Sequence, residues 1–92
     1  MPILSANEIQ ERLRNLPKWK HEKGEIVREA TFPDFISAMD FVNAVADQAE
    51  LAGHHPDIDI RYNKVRLALV SHDAGGLTPR DFDLAASIDT LS

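Results

Sequence analysis

Three histidines lie close together in the stretch GHHPDIDIRYNKVRLALVSH, residues 53–72. His54 and His55 are adjacent, and His72 stands at the far end of two alternating segments. Histidine has an unperturbed pKa of about 6.5, so it exchanges protons near neutral pH more readily than other side chains. Three of them together could carry acid–base chemistry, bind a metal ion or form a polar surface without chemical function.

Each histidine also has an ordinary structural interpretation. His54 and His55 fit a polar corner after a helix, and His72 fits a strand end before the turn at Gly75 and Gly76. A zinc site is a sharper alternative, but such sites use ligands at recognisable spacing, and the sequence has no H-E-x-x-H or similar motif. The two glycines are too few for a phosphate loop and lack a following Lys-Ser/Thr. The residue types alone leave these alternatives open.

The two alternating segments predict a β-hairpin. With a two-residue turn at Asn63-Lys64, paired positions sum to 127, and one face of the hairpin is entirely apolar. The residues of that face, expected to pack against helices, are Ile58, Ile60, Tyr62, Val65, Leu67 and Leu69. The same sum places His55 across from His72 at the open end of the hairpin. The flanking Gly53 and Pro56 favour an irregular corner, which can turn both neighbours toward one pocket.

Capping signals and helical spacing predict the remaining elements. A capping box at Ser5 begins a first helix that ends before Pro17, and two short strands over 19–22 and 25–32 meet at Lys23-Gly24. Asp34 caps the longest helix, which ends before Gly53. A last helix begins at Thr78-Pro79.

The longest helix carries an apolar stripe that is predicted to face the core. Its members are Phe35, Met39, Val42, Val45, Ala46 and Ala49. Phe41 lies off this stripe, so we expect it at a second contact such as a subunit interface.

Composition bounds the class of protein. Ninety-two residues with 43% hydrophobic content fit one folded domain, residues 1–92, and the absence of cysteine excludes disulfides and thiolate metal sites. A net charge of −5 without a basic cluster argues against direct nucleic-acid binding. No apolar run approaches the ~20 residues of a membrane span, and the start lacks the regions of a signal peptide. We therefore expect a cytoplasmic protein that does not associate with membranes.

The spacing of the singled-out residues is more specific than any one of them. The pattern begins with Glu50-x-x-x-His54-His55-Pro56 and continues with Tyr62, His72 and Asp81, which follow after five, nine and eight intervening residues. This pattern resembles the signature of the pterin-4a-carbinolamine dehydratases. The words YNKV, SH and GLTPRD, which begin at residues 62, 71 and 76, are similar to that family too. The resemblance reaches back through the longest helix to Trp19, so it covers nearly the whole chain.

The resemblance implies an α+β fold of order α-β-β-α-β-β-α, a two-layer sandwich of a four-stranded antiparallel sheet with three helices on one face. Single-faced apolar strands require such a covering layer. It also implies self-association into a homodimer or homotetramer, through sheet edges and through the longest helix.

The implied reaction is dehydration of 4a-hydroxytetrahydropterin (4a-hydroxytetrahydrobiopterin) to the quinonoid dihydropterin, a hydro-lyase step in tetrahydrobiopterin recycling. It needs no metal and no organic cofactor, and an aromatic amino-acid hydroxylase is the implied pathway partner. By the match, the catalytic residues are His54, His55 and His72, with His72 favoured as base at N5 and His54 or His55 as acid. The residues expected to bind or orient the substrate are Glu50, Pro56 and Asp81.

Two points stay open at the level of sequence. Many family members carry an aromatic residue, often Trp, two positions after the proline, where this chain has Ile58. The preferred side chain of the substrate therefore stays open. Relatives also act without catalysis as a dimerisation cofactor for a homeodomain transcription factor, but a pure binding module has no need for three histidines at this spacing.

Overall fold

Three helices and four strands follow one another along residues 2–92, the part of the chain that the computed structural model describes. They are α1 (Ala6–Leu13), β1 (Lys20–Glu22), β2 (Glu25–Thr31), α2 (Phe35–Ala52), β3 (Asp57–Arg61), β4 (Lys64–Leu69) and α3 (Pro79–Asp89). The strands form one antiparallel sheet with the spatial order β1-β2-β4-β3. The expected α+β fold and its element order are confirmed. Within residues 2–92, no helix has both the length and the apolar character needed to cross a membrane.

Side chains cap the helices where the sequence predicts. At the start of α1, the Glu8 amide donates to Ser5 Oγ at 3.2 Å, and the Ser5 amide donates to Glu8 Oε1 at 2.9 Å. At the start of α2, the Ser37 amide donates to Asp34 Oδ1 at 2.8 Å. Gly53 ends α2 at φ +63°, a left-handed conformation that favours glycine, and thereby sets the direction in which the chain leaves the helix.

The helices bury one face of the sheet. Apolar side chains from all three helices, among them Ile9, Val45 and Ile88, form one cluster with side chains of β2 and β4. The inward members from the strands are Ile26, Val65, Leu67 and Leu69. Burying each such side chain stabilises the fold by about 1.5–3 kcal/mol, so this layer holds α2, β4 and α3 in fixed relation. The histidines, Glu50 and Asp81 that the sequence singles out lie at or near the ends of those three elements.

The register predicted for the β3–β4 hairpin is wrong by two positions. Ile60 pairs with Val65 and Ile58 with Leu67, so paired positions sum to 125 and the turn lies at Tyr62-Asn63. Tyr62 has φ +55° and is 66% exposed instead of facing the helices. Apart from Tyr62, the side chains of the hairpin stay on their predicted faces, because a shift of two residues matches the period-two alternation of a strand.

Contacts with β2 account for this register. Asn63 Nδ2 donates to the Phe32 carbonyl at 2.8 Å, and the Phe32 amide donates to the Asn63 carbonyl at 2.9 Å. These bonds tie the turn to the end of β2 and place Lys64 opposite Thr31. Long-range pairing therefore overrides the choice of turn that the hairpin sequence alone suggests.

The predicted orientation of α2 also needs correction. Phe41 is buried at 5% exposure, not at a free surface, and its ring centroid lies 5.0 Å from that of Phe32 and 5.3 Å from the Arg28 guanidinium carbon. The buried residues of α2 are Ala38, Phe41, Val42, Val45 and Ala49. In consequence Phe35 is 46% exposed and Ala46 is exposed. The helix has two neighbouring apolar stripes, and the stripe that contains Phe41 packs against the sheet.

Candidate active site

The chain turns between α2 and β3, and this corner separates the environments of two adjacent histidines. The His54 amide donates to the Ala49 carbonyl at 3.2 Å, which prolongs the helical hydrogen bonding past Gly53. Pro56, half-buried, then begins the extended segment that leads into β3. His54 is buried, whereas the side chain of His55 is 62% exposed.

The inward-facing ring of His54 joins a buried hydrogen-bond network. Its Nε2 lies 2.5 Å from Asp81 Oδ1, and Asp81 is fully buried in the first turn of α3. The other carboxylate oxygen of Asp81 accepts from the Ser71 hydroxyl and from the Thr78 amide, both at 2.9 Å. The Ser71 and Thr78 hydroxyls lie 2.8 Å apart and share a further hydrogen bond. Asp81 therefore caps α3 and anchors His54 with one side chain.

The second ring nitrogen of His54 faces a cation. His54 Nδ1 lies 3.4 Å from Arg80 Nη2, which also donates to the Gly53 carbonyl at 3.2 Å. Arg80 Nη1 reaches Asp73 Oδ2 at 3.4 Å. Both nitrogens of the buried ring consequently have partners within the protein.

His55, which faces outward, has a different carboxylate as its hydrogen-bond partner. His55 Nε2 lies 2.5 Å from Glu50 Oε2, and the Glu50 side chain is 77% exposed in the last turn of α2. A carboxylate at this end of a helix opposes the helix dipole, and an imidazole nearby offsets that disadvantage. The contact orients the ring of His55 and leaves its Nδ1 for another partner.

His72 lies in a short loop that is closed by backbone hydrogen bonds. The Ser71 carbonyl accepts from the amides of Ala74, at 3.1 Å, and Gly75, at 3.0 Å, and Gly75 has φ +80°. Ser71 is buried, while His72 is exposed. Within residues 2–92 the His72 ring makes no hydrogen bond, so both of its nitrogens are open to solvent or to a ligand.

These segments line one open cleft of about 240 Å³. Its lining residues are Gly53, His54, His55, Val70, His72 and Asp73. The structure thus brings the three sequence-predicted histidines to one cleft. In the observed register, however, His55 and His72 do not lie directly opposite each other as the sequence predicted. Glu50 and Asp81 do not line the cleft and reach it through His55 and His54, and Pro56 lies beside it.

A larger cleft of about 480 Å³ lies on the outer face of the sheet. Its lining residues are Glu29, Ala30, Thr31, Asp59, Arg61, Lys64, Val65 and Arg66. It contains no histidine, so it lacks the group best suited to proton exchange near neutral pH. Across residues 2–92, no group of three or more His, Cys, Asp or Glu side chains is arranged to hold a metal ion.

Sequence reasoning missed four residues of this site. Ser71 and Thr78 complete the partners of Asp81, while Arg80 and Asp73 link α3 to the loop of His72. All four fall in or beside the words SH and GLTPRD, which were the available signal. The capping-box spacing of Thr78 and Asp81 was a signal for Thr78, but the Ser71 hydroxyl and the Arg80–Asp73 salt bridge have no spacing rule of their own.

Comparison with known proteins finds one family along nearly the whole chain. The family model described as Pterin 4 alpha carbinolamine dehydratase matches residues 2–91. A relative from Acidobacterium capsulatum is 67% identical over 91 residues, with 99% of each chain covered. One from Chloroflexus aurantiacus is 59% identical, covering 99% of this chain and 98% of its own. Both are provisionally named pterin-4-alpha-carbinolamine dehydratase.

Solved structures give the same fold. A crystal structure from Brucella melitensis, described as a transcriptional coactivator/pterin dehydratase, has a TM-score of 0.92 and 32% identity, and the match covers 97% of each chain. A pterin dehydratase-like protein described as a RuBisCO assembly factor in the alpha-carboxysome has a TM-score of 0.64 and 22% identity. That second match covers 79% of this chain and 84% of its own, and it shows a likeness of fold alone.

Proposed function

The chain belongs to the pterin-4-alpha-carbinolamine dehydratase family, and on that basis we propose that it dehydrates 4a-hydroxytetrahydropterin at the three-histidine cleft. The observation that supports this proposal best is the convergence of His54, His55 and His72 on one cleft from two separate segments of the chain. We further propose 4a-hydroxytetrahydrobiopterin as the substrate and tetrahydrobiopterin recycling as the pathway.

The reaction requires two proton transfers and no electron transfer. The bond between C4a and the hydroxyl oxygen breaks, and the hydroxyl takes up a proton and leaves as water. N5 loses its proton, and its electron pair forms the N5–C4a double bond of the quinonoid product. The substrate loses one water molecule, so the cleft needs an acid and a base but no oxidant.

His72 is the base at N5 in this proposal. An exposed imidazole without a hydrogen-bond partner in residues 2–92 is available to accept a proton in its neutral form. His55 is the acid at the 4a-hydroxyl. With Nε2–H held by Glu50, the doubly protonated ring carries its second proton on Nδ1, and that is the proton given to the leaving hydroxyl. A positioned acid or base commonly contributes about 10²–10⁴-fold to the rate.

His54 has a different part in the proposal. Its Nε2 is engaged by the buried Asp81 and its Nδ1 by Arg80, so the ring forms a fixed wall of the cleft. A wall held by two partners can place the flat pterin between His55 and His72. Among the three histidines, His54 thus positions the substrate, and the other two exchange protons.

One absorbance assay tests the proposed function. Purified protein is added to freshly generated 4a-hydroxytetrahydrobiopterin, and quinonoid product formation is compared with buffer alone and with bovine serum albumin at equal concentration. A clear acceleration is expected, and it should survive exhaustive chelation because proton transfer accounts for the reaction. A rate equal to that of buffer would refute the proposal. Loss of activity on chelation and its recovery on addition of zinc would show that the site depends on a metal ion.

Self-association belongs to the same proposal. The outer stripe of α2, defined as Phe35, Ile36, Met39 and Ala46, leaves apolar surface in solvent, with Ile36 66% exposed and Phe35 46% exposed. Apolar side chains left in solvent on one side of a helix often mark protein interfaces. We propose that a second copy of the chain covers the outer stripe. The name of the Brucella structure favours protein binding as a second candidate role, and the same stripe would serve it.

A further inference from the structure

Arg80 reaches two separate segments of the chain from the first turn of α3. Its Nη2 contacts the Gly53 carbonyl at the end of α2 and the ring of His54 in the corner, at 3.2 and 3.4 Å. Its Nη1 contacts Asp73, the residue after His72, at 3.4 Å. The Arg80 side chain is 36% exposed, so it lies half within the molecule beside the cleft. One guanidinium therefore joins the two segments that carry the histidines.

The chemistry of the partners assigns the tautomer of His54. A guanidinium has donors and no acceptor, so the nitrogen that faces it, Nδ1, must be unprotonated to form a hydrogen bond. The carboxylate of Asp81 accepts, so Nε2 must carry the proton. Only the neutral ring with its proton on Nε2 satisfies both contacts. The other charged or titratable groups around the ring are His55, His72, Asp73 and Asp83, which line the clefts on its two sides.

We propose that Arg80 is a positioning residue that, together with Asp81, holds His54 in this single tautomer and that fixes the corner at His54-His55 against the loop of His72. The inference rests on the proposed dehydration, because it names what sets the spacing of the proposed acid and base. Arg80 itself is not among the residues that line the cleft. Its effect on the rate passes through His54 and through the backbone at Gly53.

The test compares Arg80→Met with Arg61→Met. Methionine keeps an unbranched chain and removes every donor, and Arg61 also pairs with an aspartate, Asp59, at 3.2 Å, but on β3. The first measurement is the ring ¹⁵N chemical shifts of His54, which report the position of its proton. The second is kcat and KM for dehydration, and thermal unfolding checks the fold of each variant.

Because Asp81 still accepts from Nε2 in the variant, Arg80→Met is expected to change chiefly the ¹⁵N shift of His54 Nδ1, whose hydrogen bond it removes, and to lower kcat by about tenfold, with a smaller change in KM. Arg61→Met should match the wild type in both measurements. If Arg80→Met does not fold, Arg80→Lys replaces it, since lysine keeps the charge but not the planar fork, and it should show the same changes to a smaller extent.

Unchanged His54 shifts and unchanged kcat in a folded Arg80 variant would overturn the inference. The ring shifts keep this outcome separate from failure of the proposed function. If the wild-type protein does not dehydrate the pterin, the dehydration proposal fails, and the His54 shifts of Arg80→Met still decide whether Arg80 fixes the ring.

Discussion

His54 and His55 are neighbours in the chain but differ sharply in side-chain exposure, at 8% for His54 and 62% for His55. Each ring uses Nε2 for a carboxylate at 2.5 Å, yet only the carboxylate partner of His54 is buried. A buried ring between fixed partners is held in place, and an exposed ring retains a free nitrogen for chemistry. The corner thereby gives two adjacent residues of one type different surroundings.

Substitution of the two exposed histidines should remove most of the activity. His55→Ala and His72→Ala should each lower kcat for dehydration by at least roughly tenfold, because each removes one of the two proton transfers. KM should change less, since the imidazoles act mainly as the protons move. The double variant should lose less than the product of the single losses, as expected for groups that act together. Steady-state kinetics on the three variants measure these effects.

His21 supplies the matched control for this series. It is an exposed histidine on β1, outside the residues that line the cleft, so His21→Ala should keep wild-type kinetics. All variants should stay folded, as judged by circular dichroism, because the exposed rings bury little apolar area. Normal turnover in both folded single variants would contradict the site and favour the binding role.

Removal of the buried carboxylate should affect stability. Asp81→Ala leaves the His54 ring, the Ser71 hydroxyl and the Thr78 amide without their acceptor. Leaving buried donors unpaired is expected to lower the free energy of unfolding by about 2–4 kcal/mol. Urea denaturation measures the loss, and Asp83→Ala, an exposed aspartate on the same helix, is the control. Equal stability of the two variants would show that the network contributes little.

Acid should weaken the cap of α2. Hydrogen bonds from Ser37, chiefly from its backbone amide, lower the pKa of Asp34 below its ordinary value. A lowered pKa means that the carboxylate stabilises the fold above about pH 4 and that this contribution is lost as the pH falls through the lowered value. Asparagine caps helices without titrating in this range. The free energy of unfolding of Asp34→Asn should therefore depend less on pH below about 4 than that of the wild type.

That comparison isolates a single group. Glu8 also has a lowered pKa, from its hydrogen bonds with Ser5, but it titrates in both proteins and cancels in the difference. Parallel curves for wild type and Asp34→Asn between pH 2 and pH 5 would contradict the assignment.

A charge on the outer stripe of α2 should disrupt self-association. Ala46 is exposed in the monomer, so Ala46→Glu should leave the fold intact, but it would bury a carboxylate in an interface formed by the stripe. Sedimentation velocity should show the wild type as a dimer or tetramer of the 10.3 kDa chain and the variant as a smaller species. Gln10→Glu, at an exposed position of α1, is the control. A monomeric wild type would contradict the proposed interface.

Local signals were sufficient to predict most of the fold. The caps at Ser5 and Asp34 and the helix end at Gly53 depend on residues within one turn of each other, so sequence spacing determines them. The hairpin register depends instead on Asn63 and its bonds to Phe32, which lies 31 residues away. The orientation of α2 likewise depends on Phe41 meeting Phe32 and Arg28. Contacts between distant segments decide such features, and no spacing rule within one element expresses them.

The candidate site divides in the same way. The family pattern names the histidines, Glu50 and Asp81 because their types and intervals are fixed in sequence. It does not show that His54 turns inward and His55 outward, since that depends on the left-handed Gly53 and on the position of α3. Nor does it identify Arg80, whose three contacts exist only after α2, α3 and the loop of His72 have packed together.

The double attachment of Asp81 ties the lifetime of the site to that of a helix end. The first turn of α3 cannot fray without releasing the ring of His54, because the same carboxylate holds the Thr78 amide and the His54 ring. Helix ends are commonly the first parts of a fold to open, but this one is closed by a fully buried group. The exchange rate of the Thr78 amide proton therefore reports how often the proposed catalytic arrangement comes apart, even when no substrate is present.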